Sequence, residues 1–265
     1  MRRPLFFILA LLLFAPAASA RGRVRLRVIS YNIHVGIGMD KRLDLARIAA
    51  VIRRSRADIV GLQEVDRGVE RTGRVDEIRE LARLTGMDYA FAHNLDYQGG
   101  QYGVAVLSRF PILSIDHRRY ANRRERERRG FIRVEVEVHG RRLNFVTTHL
   151  DYQFADGREF ETAQLLDALA DVRGPVIVVG DFNEEPRGGA YAMMLRSGFK
   201  DAWTQEPSPG PTYPADKPAK RIDYVFHRGL GDKVRASAAV PDTLASDHRP
   251  LVVGLAFDLP ATGRR

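Results

Sequence analysis

The feature that most constrains the fold is a run of β-branched residues at positions 175–183, with the sequence PVIVVGDFN. Such a run is compatible with a buried helix or a buried strand, but the proline before it and the glycine after it favour a strand, with Gly180 allowing a sharp turn. Asp181 and Asn183 then follow at the rim of the predicted sheet. Unpaired polar groups at the end of a buried strand are costly. The pair therefore predicts either a local Asx turn or a phosphate or metal site.

The rest of the chain alternates strands and helices at first and becomes rich in strands after residue 102. Strands are predicted at 23–30, 58–65, 103–108, 112–120, 131–138, 141–147, 222–226, 234–240 and 251–257, and helices at 44–54, 75–85, 159–172 and 191–196. A proline-rich loop at 206–218 and a frayed tail at 260–265 complete the pattern. Many strands are linked as hairpins, which predicts an α+β fold rather than a simple βαβ array. Without an internal repeat or linker, we expect one domain over residues 21–265.

The first 20 residues have the three parts of a secretory signal peptide. Arg2 and Arg3 precede an apolar run at 5–15, and Ala18-Ser19-Ala20 fits a small-residue cleavage site. A membrane anchor would need about 20 apolar residues, and this run is too short. We expect cleavage after Ala20, no transmembrane segment in the mature chain, and a secreted or periplasmic protein.

Composition narrows the classes of partner and chemistry. The formal net charge is +9, which favours polyanions such as nucleic acid or anionic lipid headgroups. The chain has no cysteine, so disulfides, thiol catalysis and thiolate metal sites are excluded. The segment 118–129 mixes arginine with glutamate between two strands and is expected to be a solvated loop. Arg129 is its best candidate for a phosphate contact, because it abuts the next strand.

Polar side chains lie at the ends of several predicted strands, and two sheets packed face to face would gather them along one rim. They are Asn32, Glu64, His149, Asp181, Asn183, Asp223, Asp247 and His248. Carboxylate and amide oxygens without thiolates suit Mg²⁺ or Mn²⁺, and histidines beside acids suit work on water and phosphate. There is no glycine-rich phosphate loop, hence no expected nucleotide cofactor, and no G-x-S-x-G motif. Metal-assisted hydrolysis of a phosphate ester is the chemistry that remains.

Seven segments in this order resemble the endonuclease/exonuclease/phosphatase superfamily, which includes pancreatic-type DNases, abasic-site endonucleases, neutral sphingomyelinases and inositol-polyphosphate 5-phosphatases. The segments are YNIH (31–34), LQEV (62–65), GVAVLSR (103–109), THL (148–150), GDFN (180–183), RIDY (221–224) and SDHRP (246–250). The resemblance covers about residues 24–257. It implies a four-layered α/β sandwich, in which two mixed β-sheets pack together with helices outside.

The resemblance also implies the metal site and the groups around the attacking water. Glu64 would be the principal Mg²⁺ ligand, with Asn32 beside it and Asp247 close to the metal. Asp181 would act on the nucleophilic water. Asn183 would hold a phosphate oxygen.

The same resemblance assigns the two histidines. His248 would be the catalytic histidine, oriented by Asp223, and His149 would donate to the phosphate. Tyr102 falls where some members place a phosphate-contacting tyrosine. The Gly-Val that follows it lacks the acid that supports this second histidine in DNases.

The substrate stays open among phosphate esters. Nucleic acid is slightly preferred because of the arginine-rich surface, although no aromatic stacking platform stands out. A phospholipid, sphingomyelin-type or inositol-phosphate headgroup is the alternative, although no long apolar hairpin is present to enter a bilayer. A non-catalytic polyanion-binding module is a further alternative, disfavoured because the acids and both histidines are present. We expect a monomer.

Overall fold

The structure, a computed structural model, describes residues 23–122, 127–203, 210–231, 234–241 and 243–257. The predicted signal peptide and the predicted tail at 260–265 lie outside these ranges. Parts of the 118–129 segment and of the 206–218 loop also lie outside them. The single-domain boundaries and the monomeric state stay predictions.

Twelve strands form within the described ranges. In chain order they are β1 Val24–Asn32, β2 Ile59–Arg67, β3 Asp88–Tyr97, β4 Gly100–Ser108, β5 Ile112–Arg119, β6 Gly130–Val138, β7 Arg141–His149, β8 Val176–Asp181, β9 Lys200–Asp201, β10 Asp223–Arg228, β11 Arg235–Ala239 and β12 Leu251–Phe257. All nine separately predicted strands and the strand in the 175–183 run are found within a few residues of their expected bounds. Two strands, β3 and β9, were not predicted.

The strands form two six-stranded mixed sheets. The first has the order β11-β12-β1-β2-β4-β3 and the second the order β5-β6-β7-β8-β10-β9. Each contains one parallel pair, β1 with β2 and β7 with β8. Strands β12 and β10 run antiparallel to these pairs, so their starts meet the carboxyl ends of β1 and β8. Six strand ends that carry predicted site residues are thereby brought to one rim.

Among the described residues, four α-helices cover the outer faces of the two sheets. They are α1 Leu45–Ser55, α2 Glu77–Thr85, α3 Ala155–Ala170 and α4 Gly189–Arg196. Helices α1 and α2 share a hydrophobic cluster with the first sheet, α3 and α4 share another with the second, and a third cluster fills the space between the sheets. The predicted four-layered sandwich is confirmed. Within the described ranges, no helix is long and apolar enough to span a membrane.

Two glycines allow close backbone approach beneath the rim. A Cβ atom on Gly61 of β2 would lie 2.2 Å from Val179 on the opposite sheet, so only glycine fits there. A Cβ on Gly180 would lie 2.4 Å from the carbonyl oxygen of Thr148 on the neighbouring strand. The turn predicted at Gly180 is therefore wrong, because Gly180 is a regular strand residue that admits β7. The backbone turns later, at Asn183, where φ is +49°.

Helix α3 begins four residues before its predicted start at position 159. Its N-terminus is organised by Asp151, whose Oδ1 accepts hydrogen bonds from the backbone N–H groups of Gln153 and Phe154. These bonds order the chain before the first apolar residues of the helix appear. Helical periodicity in the sequence therefore marks the start too late.

Candidate active site

The predicted site residues meet around one oxygen atom, Oδ2 of Asp181, at the end of β8. Asn32 Nδ2 donates to it at 3.1 Å, His149 Nε2 lies 3.5 Å away, and His248 Nε2 lies 3.6 Å away. Asp181 and both histidines are buried. Residues from β1, β7, β8 and the segment before β12 thus converge on a single carboxylate.

Glu64 reaches the site because β2 contains a β-bulge. Leu62 pairs with Ala105 and Val65 with Gly103, so two residues of β2 oppose one residue of β4, and Glu64 has a φ of +56°. In a regular strand Glu64 would share the helix-covered face of Leu62. The bulge re-aims it towards the rim, a known use of such bulges next to active sites.

Asn32 links the two acids of the site. Its Nδ2 donates to Glu64 Oε1 at 2.9 Å as well as to Asp181, and its Oδ1 accepts from the backbone N–H of His34 at 3.0 Å. Asn32 therefore positions the carboxylates of Glu64 and Asp181 through its amide N–H groups, while its amide oxygen is bound to the backbone of His34. Its role as a metal ligand stays a prediction.

The segment after β8 forms an Asx turn. The backbone N–H of Asn183 donates to Asp181 Oδ1 at 2.8 Å, which confirms the simpler of the two interpretations of this pair. The turn leaves Oδ2 of Asp181 free to face the histidines, and it brings Asn183 Nδ2 to 3.0 Å from His149 Nε2. The same Nδ2 donates to the carbonyl of Leu150. The turn and the polar site are therefore one structure.

His248 is held between two carboxylates. Its Nδ1 lies 3.0 Å from Asp223 Oδ2, and its backbone N–H donates to Ser246 Oγ, which in turn donates to the carbonyl of Asn32. Burial lowers the pKa of His248, but the carboxylates of Asp223 and Asp181 outweigh this and raise it to about 10. His248 is therefore an imidazolium at neutral pH, with both ring nitrogens donating.

The buried position of Asp181 disfavours its ionised form. Burial raises its pKa to about 7, with a further increase from Asp223, while His248 opposes the shift. A carboxylate with this pKa is half ionised at pH 7 and largely ionised above about pH 8, yet basic enough to take a proton. These are the properties of a general base.

His149 is kept neutral by its neighbours. Arg129 Nη1 lies 2.6 Å from His149 Nδ1, and burial, Arg129 and His248 hold the pKa of His149 well below its usual range. A guanidinium has no acceptor, so Nδ1 must accept from it and the ring proton sits on Nε2. That N–H faces Asp181 and the cleft, and the neighbouring Asn183 Nδ2, also a donor, makes its hydrogen bond to the carbonyl of Leu150 instead. The cationic side chain of Arg129 therefore supports His149 here, whereas the resemblance to DNases implies an acid in that role.

The site opens into a cavity of about 620 Å³. Of the predicted residues, Glu64, Tyr102, Arg129, His149, Asp181, Asn183, Asp247 and His248 line it, whereas Asn32 and Asp223 lie behind them. The sequence analysis assigned no role in the site to seven further polar or aromatic lining residues: His34, Arg71, Tyr97, Glu127, Tyr152, Tyr213 and Lys220. Most lie on loops or hairpin ends, where no periodicity announces them.

Tyr102 lies in this cavity wall as a neutral phenol. Burial raises its pKa well above the usual range, and the Glu64 carboxylate raises it further. Arg129 is 4% exposed, forms an ion pair with Glu127 at 3.2 Å, and lies 6.0 Å from the centroid of the Tyr152 ring. Both residues line the cavity, and their contact with a substrate phosphate stays a prediction.

The donor set suits a hard divalent cation. Glu64 and Asp247 present carboxylates to the cavity, and oxygen ligands of this kind are those Mg²⁺ and Mn²⁺ prefer. Ligand atoms of Asp181, Asp223 and His248 also lie within 4.8 Å of one another. Since both nitrogens of His248 face carboxylates and carry protons, that trio suits proton handling rather than cation binding.

Comparison with known proteins agrees with the fold. An uncharacterised Escherichia coli protein, YbhP, is 29% identical over 245 residues, covering 85% of this chain and 94% of that protein. A putative neutral sphingomyelinase of Caenorhabditis elegans is 30% identical over 173 residues, covering 55% of this chain and 37% of that protein. The crystal structure of an endonuclease/exonuclease/phosphatase from Beutenbergia cavernae has a TM-score of 0.75 at 27% identity, covering 91% of this chain and 74% of that one. The sequence profile of the Endonuclease/Exonuclease/phosphatase family matches residues 29–248. The chain therefore belongs to this family.

Proposed function

We propose that the protein is an exported, divalent-metal-dependent phosphodiesterase whose preferred substrate is nucleic acid. Members of its family are hydrolases that act on phosphate esters. The observation that carries the proposal is the carboxylate of Asp181, which lies within 3.6 Å of two histidines and is linked through Asn32 to Glu64. This arrangement supplies a base, two donors and a cation site around one point.

Each side chain has a defined task in hydrolysis. Asp181 accepts a proton from the attacking water, which then forms a bond to phosphorus as the bond to the leaving oxygen breaks. The imidazolium of His248 and the Nε2–H of His149 donate to the oxygens of the phosphoryl group, where negative charge accumulates. Asp223 holds His248 in its protonated form.

Glu64 and Asp247 would hold the cation, Mg²⁺ or Mn²⁺. A bound cation would polarise the phosphoryl group and offset its charge. The chain's contribution is to aim these two carboxylates at the same cavity as Asp181. Asn32 keeps Glu64 and Asp181 in register by donating to both.

Nucleic acid is favoured over a lipid headgroup by the lining of the cleft. Arg129 and Lys220 line it, and the tyrosines Tyr97, Tyr152 and Tyr213 lie among them. Basic groups interleaved with aromatic rings are typical of grooves that bind single-stranded nucleic acid. The partial similarity to a putative neutral sphingomyelinase supports a lipid headgroup as the second candidate.

A substrate panel tests the proposal. Plasmid DNA, RNA, sphingomyelin and inositol phosphates are incubated with purified mature protein and Mg²⁺ or Mn²⁺, with EDTA as the control. We expect metal-dependent cleavage of nucleic acid, with apparent affinity falling steeply as salt rises. Cleavage of sphingomyelin alone would favour the lipid candidate. Binding of nucleic acid without cleavage of any ester would favour the non-catalytic module.

Export is proposed from the first 20 residues, which lie outside the described ranges. Expression of the full chain with a C-terminal tag, followed by cell fractionation and N-terminal sequencing, tests it. We expect the tagged protein in the periplasm or medium, starting at Arg21. Full-length protein retained in the cytoplasm would contradict export.

A further inference from the structure

One side of the cleft is a wall made of two tyrosines and an arginine. Tyr97 ends β3, and the guanidinium carbon of Arg71 lies 4.7 Å from the centroid of its ring. The same carbon lies 5.4 Å from the Tyr102 ring. Tyr97 remains 41% exposed, and it lines the cavity that also holds Glu64 and Asp181. We call Tyr97, Arg71 and Tyr102 the tyrosine–arginine wall.

The wall is held rigidly from behind. Arg71 Nε and Nη2 donate to the two carboxylate oxygens of Asp66 at 2.8 and 2.9 Å, and Asp66 is completely buried. Thr72 Oγ1 also donates to Asp66 at 3.2 Å. The backbone N–H of Arg71 donates to Gln98 Oε1 at 3.0 Å. Gln98 lies in the loop between β3 and β4, so this bond links that hairpin to the segment that contains Arg71. A flat surface is thus preorganised before any ligand arrives.

The chemistry of this surface differs from that of a phosphate site. Asp66 neutralises the charge of Arg71 in a bidentate pair, so the wall offers little net positive charge to a phosphate. What it offers is planar π-surface, the exposed part of the Tyr97 ring backed by a guanidinium plane. Nucleobases stack on aromatic rings and arginine planes in this way.

We propose that the tyrosine–arginine wall is a stacking subsite for a nucleobase adjacent to the scissile phosphate of a single-stranded nucleic acid. This rests on the proposed function, because it gives the phosphodiester cleft its substrate class. Tyr102 connects the wall to the reaction centre, since it contacts Arg71 and lines the same cavity as Glu64 and Asp181. A base on Tyr97 would therefore lie in the same cavity as the phosphate undergoing attack beside Asp181.

The alternative is that Tyr97 only shields the Arg71–Asp66 pair from water. A structural role of this kind would change the thermal stability of the protein but not its preference for bases. Tyr89 provides a matched control, because it lies on the same strand with 44% exposure and does not line the cleft.

Binding is measured by fluorescence anisotropy in EDTA, so that the subsite is tested without catalysis. The probes are fluorescein-labelled hexathymidylate and an abasic hexamer with the same phosphates. We expect wild type and Tyr89→Leu to prefer the thymidylate, and Tyr97→Leu to lose about 5- to 100-fold of that preference. Tyr97→Trp should retain it. Equal binding of both probes by wild type, no binding of either, or a full preference in Tyr97→Leu would overturn the subsite.

Hydrolysis of methyl p-nitrophenyl phosphate, measured separately with Mg²⁺, distinguishes the failure of the two proposals. Its leaving group reports turnover, and it contains no nucleobase. If wild type hydrolyses it while the binding preference is absent, only the subsite fails. If the preference is present but the ester is not hydrolysed, only the proposed reaction fails.

Discussion

Asp223→Asn is the substitution that most directly probes the charge state of His248. The two side chains meet at 3.0 Å through Asp223 Oδ2 and His248 Nδ1, and asparagine keeps the size of the buried side chain while removing its charge. Burial alone would lower the pKa of His248, and the carboxylates of Asp223 and Asp181 raise it to about 10. The rise from 6.5 corresponds to roughly 5 kcal/mol of preference for the imidazolium.

Losing one carboxylate at this distance should lower the pKa of His248 by roughly one to three units, because Asp181 remains at 3.6 Å. At pH 8 the variant should then retain between about nine-tenths and one-tenth of the imidazolium, so the activity should fall by up to about 10-fold from this cause. The stability effect has a defined sign. The folded-state pKa of His248 is raised, so its stabilisation is complete below about pH 6.5 and is lost as the pH rises towards 10. The variant should therefore lose more stability at pH 6 than at pH 10.

The assay is an NMR titration of the histidine Cε1–H signals in metal-free protein, combined with urea unfolding at both pH values. Asp216→Asn, an exposed substitution in the loop before β10, is the matched control and should change neither result. A wild-type pKa of His248 below 7, or the same pKa in wild type and Asp223→Asn, would refute the reasoning.

Three further predictions concern the wall, the metal and the base. Arg71→Gln should destabilise the protein by about 3–5 kcal/mol in urea unfolding, because it leaves Asp66 charged and buried. The double variant with Asp66→Asn should recover most of this stability, and a loss below about 1 kcal/mol in Arg71→Gln alone would contradict the pairing. EDTA should abolish phosphodiesterase activity, and added Mg²⁺ should restore it. Glu64→Gln should need a higher Mg²⁺ concentration for its half-maximal rate, and the same concentration in the variant as in wild type would argue against Glu64 as a ligand. The rate should rise with pH as Asp181 loses its proton, with the midpoint of the rise at about pH 7, or lower when a cation is nearby. A rate that falls with pH through this range would exclude Asp181 as the base.

The sequence predicts the layers and the rim because both depend on strong local signals. The continuous apolar run before Asp181 can only be accommodated in a sheet covered on both faces, and polar residues at its end need partners. Ordered motifs then identify which other strand ends supply those partners. This reasoning found all the residues that surround Oδ2 of Asp181.

What the sequence does not reveal depends on packing between distant segments. Strand β3 was missed because its buried positions carry the small or polar residues Ala90, Ala92 and Asn94 rather than large apolar ones. Without that strand, Tyr97 had no place in the cleft and no stacking platform was visible. The bulge that aims Glu64 is set by pairing with β4, which periodicity within β2 cannot show.

The contact between Arg129 and His149 is likewise invisible in sequence. The sequence shows only that an acid is missing after Tyr102. The structure shows a guanidinium at 2.6 Å from His149 Nδ1, which reverses the charge of the supporting group. Arg129 reaches His149 because strands β6 and β7 are neighbours in the sheet, with Gly130 paired to His149.

The central claim is that the rim residues form one hydrolytic centre, and hydrolysis of bis(p-nitrophenyl) phosphate tests it most directly. Initial rates are measured with Mg²⁺ or Mn²⁺ for wild type, His248→Ala and Asp181→Asn, with His139→Asn as a control at an exposed turn outside the cleft. We expect wild type and His139→Asn to be equally active, and both rim variants to lose at least about 100-fold while remaining folded. Wild-type rates in His248→Ala, or activity that persists in EDTA, would contradict the account.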